Sequence, residues 1–281
     1  MLGSIAMKNE LIKIKSILPL QKAPLVHCIT NDITLETVAN TILYLGGKPI
    51  MSSDTREFSS LFQSTDALLL NMGRLNESHE QSLSQASSLA DMTKKPTVVD
   101  LVGYGITNER TKLGMAMARN HPTVIKGNTS EIRRFVGLPS LAKGIDGASS
   151  DQHDQALKDL ILSLKQITTE YADTVFVATG KKDVIVQNDK HLILSNGVDE
   201  LDKFVGTGDM VGAIITTLLA VAVGEDPWVA SQFAISYLNV AAEKALSLTN
   251  GMENFRREVL NQIDLLGRNQ QWATKIKYSN F

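Results

Sequence analysis

Gly206-Thr207-Gly208-Asp209 (GTGD) is followed directly by Met210–Val223 (MVGAIITTLLAVAV), a run of small and apolar residues. A run of this composition predicts a helix that is packed over most of its surface. The two glycines let the backbone approach a ligand closely, and the free amides that open the helix favour an anion. Asp209 adds a carboxylate beside this anion hole, which indicates phosphoryl transfer. The structural alternative is that Asp209 only interacts with the helix dipole.

Short apolar runs alternate with helical patterns before this motif. The predicted strands are Leu25–Ile29, Pro49–Ser52, Ala67–Asn71, Thr97–Leu101, Thr123–Lys126 and Thr174–Ala178. The predicted helices between them are Leu35–Leu45, Glu77–Asp91, Glu109–Asn120 and Asp154–Thr168. This alternation is typical of a parallel sheet that is covered by helices on both faces. A hairpin (Val184–Gln187 and Leu192–Ser195) and two late helices (Pro227–Leu248 and Met252–Leu266) complete the prediction.

Composition excludes several classes of protein. The 281 residues carry a net charge of −2, and the basic residues are scattered, so a nucleic-acid partner is not expected. Met210–Val223 is too short to span a membrane, and no membrane association is expected. The single cysteine, Cys28, excludes an internal disulfide framework and a cysteine-rich zinc site. We expect a cytoplasmic protein whose residues 1–281 form one domain, with residues 1–7 as an appended or disordered segment.

Ligands of open parallel sheets bind beyond the carboxyl ends of the strands. The polar residues that follow the predicted strands are therefore the candidate site residues. They are Thr30-Asn31-Asp32, Met51-Ser52, Asn71-Met72-Gly73, Asp100, Lys126-Gly127-Asn128 and Thr179-Gly180. The chain has neither a Walker-type phosphate loop nor a dinucleotide-binding glycine motif after its first strand, so a kinase of this sequence is not of the P-loop kind.

Several of these positions have both a structural and a functional interpretation. Asp100 either binds amides of the following turn or belongs to a metal site. Asn128 and Glu131 match a capping box, which is the favoured interpretation, while the functional one has Glu131 helping to hold hydrated Mg²⁺. Thr179 either marks a strand-to-turn switch or places its hydroxyl on a nucleotide phosphate. His27 and Cys28, which lie in a predicted buried strand, are interpreted as packing residues.

Taken in order, the motifs resemble those of the hydroxyethylthiazole kinase family, within the ribokinase-like superfamily. Pro24–Asn40 (PLVHCITNDITLETVAN) is similar to the family's N-terminal signature, and Leu45–Met51 (LGGKPIM) is similar to its LGASPxM segment. Residues 71–73 (NMG), 124–132 (VIKGNTSEI) and 177–180 (VATG) resemble three further family segments. GTGD matches the anion-hole turn of the superfamily. The resemblance runs from residue 24 to about residue 248.

The resemblance implies a ribokinase-like three-layer α/β sandwich, with a mostly parallel central sheet, helices on both faces and no lid domain. It implies ATP-dependent phosphorylation of the hydroxyl of 4-methyl-5-(2-hydroxyethyl)thiazole in thiamin salvage. By the same resemblance, Asp209 accepts the alcohol proton, and the turn containing Gly206 and Gly208 stabilises the transferring phosphoryl group.

The remaining site residues also follow from the resemblance. Met51, Asn31 and Gly206 are expected to line the thiazole site. Lys126 and Thr179 are expected to contact the ATP phosphates, and Asp100 with Glu131 to position Mg²⁺ through water. A homotrimer with the thiazole pocket at the subunit interface is expected by the same analogy.

The chain departs from the family pattern at a few positions. Asp209 stands where many members have Cys, and Lys126 replaces the more usual Arg, which keeps the charge but loses the bidentate fork. Leu101, Tyr104 and Arg74 also differ from the family's residues. The alternatives are a related kinase for hydroxymethylpyrimidine or pyridoxal, a nucleotide-dependent repair dehydratase, and a catalytically silent thiazole-binding protein.

Overall fold

A computed structural model describes residues 13–140, 151, 153–221 and 226–279. Within these ranges the strands form one sheet in the order β2-β1-β3-β4-β5-β6-β7-β8-β9. The strands are β1 (Leu25–Ile29), β2 (Lys48–Met51), β3 (Ala67–Asn71), β4 (Thr97–Asp100), β5 (Val124–Asn128), β6 (Val175–Thr179), β7 (Asp183–Gln187), β8 (Lys190–Leu194) and β9 (Tyr278–Ser279). Strands β1 to β6 pair in parallel, and β7, β8 and β9 are antiparallel.

Helices cover both faces of this sheet. They are α1 (Leu35–Tyr44), α2 (Phe58–Ser64), α3 (Glu77–Thr93), α4 (Asn108–Ala118), α5 (Thr129–Phe135), α6 (Asp154–Ile167), α7 (Thr207–Leu219), α8 (Pro227–Leu248) and α9 (Met252–Leu266). Short 3₁₀ helices lie at Thr55–Glu57, Asp199–Lys203 and Gln270–Lys275. One buried cluster contains residues of α1, α7, α8 and α9, and the other contains residues of α3 to α6.

The strand sequences explain the two cores. Every residue of β3 is buried, and alternate side chains point to opposite faces of the sheet. Leu69 belongs to the cluster under α7 and α8, whereas Leu68 and Leu70 belong to the cluster under α3 to α6. A strand that packs helices on both sides has to be apolar at consecutive positions, which the sequence of β3 provides. The predicted three-layer arrangement is therefore confirmed.

Most of the predicted elements agree with the structure to within a few residues. Five short elements were not predicted: the 3₁₀ helices Thr55–Glu57, Asp199–Lys203 and Gln270–Lys275, the helix Phe58–Ser64 and the edge strand Tyr278–Ser279. The predicted helix Met210–Val223 begins earlier, at Thr207, and its regular part ends at Leu219 because the last turn tightens. Val223 and residues 1–7 lie outside the described residues. In the part of the chain that is described, no second sheet forms a lid.

Candidate active site

Six parallel strands, β1 to β6, bring their carboxyl ends to one edge of the sheet, and α7 begins beside this edge. The register pairs Asn71 with Asp100, Asp100 with Lys126, and Asn128 with Thr179. Residues that lie far apart in the sequence are therefore neighbours in space. The expected gathering of polar strand-end residues is confirmed for these positions.

Asp209 lies in the first turn of α7 and is buried. Three side chains donate hydrogen bonds to its carboxylate. The hydroxyl of Thr34 and the amide of Asn31 donate to Oδ2, with 3.3 Å from Asn31 Nδ2, and Asn71 Nδ2 donates to Oδ1 over 3.0 Å. These donors fix the orientation of the carboxylate and satisfy its charge in a buried place.

Local backbone geometry makes two of these donors available. Thr34 is the N-cap of α1, yet its side chain makes no capping hydrogen bond and is free to donate to Asp209. Asn31 Oδ1 accepts from the amides of Ile33 and Thr34, at 3.1 and 3.2 Å, in an Asx turn. This turn points the amide nitrogen of Asn31 toward Asp209.

Asn71 connects two carboxylates. Its Nδ2 lies 3.0 Å from Asp209 Oδ1 and 3.1 Å from Asp100 Oδ2. Its Oδ1 accepts from the backbone amide of Gly73 over 2.8 Å and from Asn31 Nδ2 over 3.2 Å. Because its acceptor is already held by donors, the amide group of Asn71 has one orientation, with Nδ2 between the two carboxylates.

Lys126 and Asp100 form a buried ion pair. Lys126 Nζ lies 2.7 Å from Asp100 Oδ2, and each side chain is only 2% exposed. Burial raises the pKa of Asp100, the nearby Lys126 ammonium opposes this rise, and the charge of Asp209 adds to it. The structure thus places the Lys126 ammonium between the sheet edge and the start of α7.

The GTGD turn closes over this lysine. Gly206 has φ +103° and is the N-cap of α7, so no side chain caps the first amides of the helix. An ideal Cβ on Gly206 would lie 3.0 Å from Thr34 Cγ2, and one on Gly208 would lie 3.6 Å from Lys126 Nζ. Uncapped amides and an ammonium therefore face the same small space, which suits an anion such as a phosphate.

Glu131 forms the predicted capping box with Asn128, which confirms the favoured interpretation of this pair. Its Oε2 accepts from the Asn128 amide and its Oε1 from the Gly103 amide, both over 2.7 Å. The turn amide therefore binds Glu131, whereas the described bonds of Asp100 go to Lys126 and Asn71. Burial raises the pKa of Glu131 to about 7, and the charge of Asp100 contributes to the rise.

Thr179 and Met51 lie at the same edge but outside the hydrogen-bond network of Asp209. Thr179 ends β6, half-buried, with its hydroxyl 3.4 Å from the carbonyl oxygen of Gly127. Met51 ends β2 and pairs with Cys28 of β1. His27 and Cys28 are buried, and the His27 ring packs edge-on against Phe58, so their predicted role in packing is confirmed.

The sequence of this chain is similar to those of known kinases. The sequence model of the hydroxyethylthiazole kinase family matches residues 18–269. A protein of Leuconostoc mesenteroides subsp. mesenteroides named hydroxyethylthiazole kinase 2 is 99% identical over 275 residues, which cover 98% of this chain and 100% of the relative. The chain belongs to the hydroxyethylthiazole kinase family. As a member of this family it is an enzyme of the phosphotransferase class, and a kinase uses a nucleotide as phosphoryl donor.

Solved structures support the fold of this hydroxyethylthiazole kinase family member. The hydroxyethylthiazole kinase protein of Pyrococcus horikoshii OT3 superposes with a TM-score of 0.81 at 26% identity, covering 97% of this chain and 100% of that one. A ribokinase-like superfamily protein of Enterococcus faecalis V583 superposes with a TM-score of 0.63 at 11% identity, covering 92% and 94%. The predicted ribokinase-like fold is confirmed.

The sequence of this family member predicts no role for two residues that contact Asp209, namely Asn71 and Thr34. Asn71 was among the strand-end candidates, but nothing in its motif shows that it bridges Asp209 and Asp100. Thr34 reads as an ordinary helix cap, because threonine is common at that position. Its contact with Asp209 depends on how α1 packs against α7, and no local pattern encodes that.

The family resemblance also implies Mg²⁺, and the residues at the sheet edge are compatible with a cation held through water. Asp100 and Glu131 are both buried carboxyls with raised pKa values, and a nearby cation would favour their ionised forms. Both Glu131 oxygens already accept backbone hydrogen bonds, which disfavours direct ligation. Among the described residues, no cluster of three or more His, Cys, Asp or Glu side chains forms a direct metal site.

Within the described ranges, no helix combines the length and the apolar character that crossing a bilayer requires.

Proposed function

We propose that this protein phosphorylates the primary alcohol of 4-methyl-5-(2-hydroxyethyl)thiazole with ATP, as a step of thiamin salvage. One observation carries the proposal. The Asp209 carboxylate is held by three side-chain donors at the amide end of α7, beside a turn that faces the Lys126 ammonium. A fixed acceptor next to an anion site is the arrangement that phosphoryl transfer to an alcohol requires.

Asp209 is the proposed proton acceptor. Its Oδ2 accepts two hydrogen bonds and its Oδ1 accepts one, so Oδ1 retains a free lone pair. The alcohol oxygen attacks the γ-phosphorus, its proton passes to Asp209, and the bond between the γ-phosphorus and the bridging oxygen breaks to release ADP. A loose transition state needs this hydroxyl to be oriented more than it needs strong deprotonation.

The anion hole is proposed to consist of the amides of Gly206, Gly208 and Asp209 together with Lys126. Charge develops on the oxygens of the transferring group, and donors fixed in advance stabilise it without reorganising. Thr179 is proposed as a further contact to the ATP phosphates, since it ends the strand next to β5. Asp100 and Glu131 would hold Mg²⁺ through water, and the ion supplies neutralisation of the phosphate charge when bound.

Asn31, Met51 and Gly206 are proposed to line the thiazole site. Apolar side chains beside this site are exposed, with Ile33 at 67% and Val205 at 66%. Their exposure supports the proposal of a homotrimer in which a neighbouring subunit covers the thiazole pocket. A mass measurement in solution tests the trimer, and a monomer at assay concentrations would contradict it.

We also propose that residues 1–281 act as one kinase domain in the cytoplasm.

A substrate panel tests the proposed activity. The purified protein is incubated with ATP, Mg²⁺ and either the thiazole alcohol, a hydroxymethylpyrimidine or pyridoxal, and the products are identified by mass. We expect the thiazole alcohol to gain one phosphoryl group at the highest kcat/KM. Preferred phosphorylation of the pyrimidine or pyridoxal would reject the substrate assignment. Consumption of nucleotide with repair of a hydrated nicotinamide cofactor would favour the dehydratase alternative.

A further inference from the structure

Another buried carboxyl, that of Asp183, lies beside the turn that follows Thr179, outside the hydrogen-bond network of Asp209. Asp183 begins β7, directly after the turn that follows β6, and it is 4% exposed. Its Oδ1 accepts a hydrogen bond from the backbone amide of Gly180 over 2.9 Å. Its Oδ2 accepts from Asn239 Nδ2 over 2.7 Å. The Asp183 side chain therefore links the turn at Gly180 to helix α8.

Asn239 extends this link to a second segment. Its Nδ2 also donates to the carbonyl oxygen of Asn196 over 2.9 Å. Asn196 is itself held, because its Nδ2 donates to Glu243 Oε1 over 3.1 Å and its Oδ1 accepts from the Lys277 amide over 2.6 Å. The segment that leads from β8 to the GTGD turn is therefore hydrogen-bonded, at Asn196, to the same Asn239 side chain that binds Asp183.

Among the residues that the structure describes, none forms an ion pair with Asp183. Its described hydrogen bonds come from two neutral N–H groups, and the charged group that acts on it is Asp202, which has the same sign. A neutral side chain would be easier to bury at this place. What a carboxylate provides is a charge-assisted hydrogen bond to the Gly180 amide, stronger than a neutral acceptor would give.

We propose that Asp183 is a positioning residue that holds the Thr179-Gly180 turn in the conformation that binds the nucleotide phosphates. The proposal rests on the proposed function in one respect, the assignment of this turn to the nucleotide. Gly180 is exposed, so its backbone is accessible to a ligand. Its amide is held by a hydrogen bond to the buried Asp183 carboxyl. Asn239 of α8 holds the Asp183 carboxyl in turn, through its hydrogen bond to Oδ2.

The test compares Asp183→Asn with the wild type. Asn has one acceptor oxygen, so it keeps one of the two hydrogen bonds and loses the charge. We expect the Kd for ADP, measured by calorimetry at about pH 8, where Asp183 is ionised, and the KM for ATP to rise by about tenfold, as for the loss of one charge-assisted hydrogen bond. The KM for the thiazole alcohol is expected to stay within about twofold, since no described hydrogen bond joins Asp183 to the Asp209 network.

Asp189→Asn is the matched control, because Asp189 is exposed in the turn at the other end of β7. It is expected to leave both nucleotide constants unchanged. Asn239→Ala supplies a second variant if Asp183→Asn does not fold, and it is expected to weaken ADP binding several-fold, because it releases the anchor from α8. A folded Asp183→Asn or Asn239→Ala protein with wild-type affinity for ADP would overturn the proposal.

Failure of the proposed function gives a different result. A wild-type protein that binds ADP but phosphorylates no thiazole alcohol contradicts the proposed substrate, and the calorimetric comparison still decides the role of Asp183. A wild-type protein that does not bind ADP overturns the role of Asp183 together with the nucleotide assignment.

Discussion

Lys126 Nζ lies 2.7 Å from Asp100 Oδ2, and both side chains are almost fully buried. The pair has a structural role, since it neutralises a carboxylate at the centre of the sheet edge. The same ammonium lies under Gly208, where the proposed phosphate site begins. We therefore expect both stability and nucleotide binding to depend on Lys126, and mutation can separate the two effects.

Lys126→Met is expected to lower the free energy of unfolding by about 3–5 kcal/mol, because it leaves the Asp100 charge buried without its partner. It is also expected to raise the KM for ATP. Adding Asp100→Asn removes the uncompensated charge, so the double variant should recover much of the stability but not the affinity for ATP. Urea unfolding and steady-state kinetics on the same preparations measure the two effects. Recovery of both properties together would argue against a phosphate contact by Lys126.

Thr34→Val tests whether the hydroxyl of Thr34 orients Asp209. Valine keeps the shape of threonine, and the Thr34 side chain makes no capping bond that could be lost. We expect kcat to fall by about tenfold, as for the loss of a hydrogen bond to a charged group, with little change in the KM for ATP.

Thr41→Val is the control for this variant. Thr41 is buried in the same helix, and its hydroxyl donates to the carbonyl oxygen of Thr37. Its replacement should leave kcat close to the wild-type value. Equal losses of kcat in the two variants would indicate a general effect on α1 instead of a specific contact with Asp209.

The two glycines of the GTGD turn are expected to respond differently to alanine. Gly206→Ala forces a side chain into φ +103° and against Thr34, so it should destabilise the protein by at least about 1–2 kcal/mol. At Gly208 a Cβ would meet Lys126 Nζ at an ordinary contact distance of 3.6 Å. Gly208→Ala should therefore fold normally and lose affinity for ADP, which thermal melting and calorimetry can measure. Wild-type ADP binding by Gly208→Ala would exclude this space as the phosphate site.

The stability of the protein is expected to depend on pH through Asp183. Burial raises the pKa of Asp183 to about 7 in the folded protein, against an ordinary value of 3.8. Below about pH 4 the group is protonated in both states. Between about pH 4 and 7 only the unfolded chain releases the proton, so this group lowers stability as pH rises.

Asp183→Asn removes this titration. Relative to the wild type, the variant should gain free energy of unfolding as the pH rises from about 4 to 7, because Asn does not ionise. The other buried carboxyls are common to both proteins and cancel in the comparison. Urea unfolding at several pH values measures the difference, and a difference independent of pH would contradict the raised pKa of Asp183.

The sequence pattern predicted which polar residues lie at the candidate site, because the carboxyl ends of parallel strands all meet at the same edge of the sheet. Asn31, Asp100, Lys126 and Asp209 were all expected there, and the hydrogen bonds and the ion pair join them through Asn71. The position of a residue after a buried strand is a local property, and it can be read from apolar runs.

The pairing of these residues could not be predicted in the same way. Asp100 meets Lys126 because of the register of β4 and β5, which a single sequence does not show. Thr34 and Asp209 are 175 residues apart, and their contact depends on the packing of α1 against α7. The link from Asp183 to Asn239 was missed for the same reason, since Asn239 lies in the middle of a buried helix.

The most direct test of the account is the rate of thiazole phosphorylation by Asp209→Asn. Asn has nearly the same shape, so ADP binding should stay close to the wild-type value, while kcat should fall by about 10²–10⁴-fold because the proton acceptor is lost. Asp173→Asn, at an exposed aspartate ahead of β6, is the control and should keep wild-type activity. A folded Asp209→Asn protein whose kcat stays within a few-fold of the wild type would contradict the assignment of Asp209 as the catalytic base.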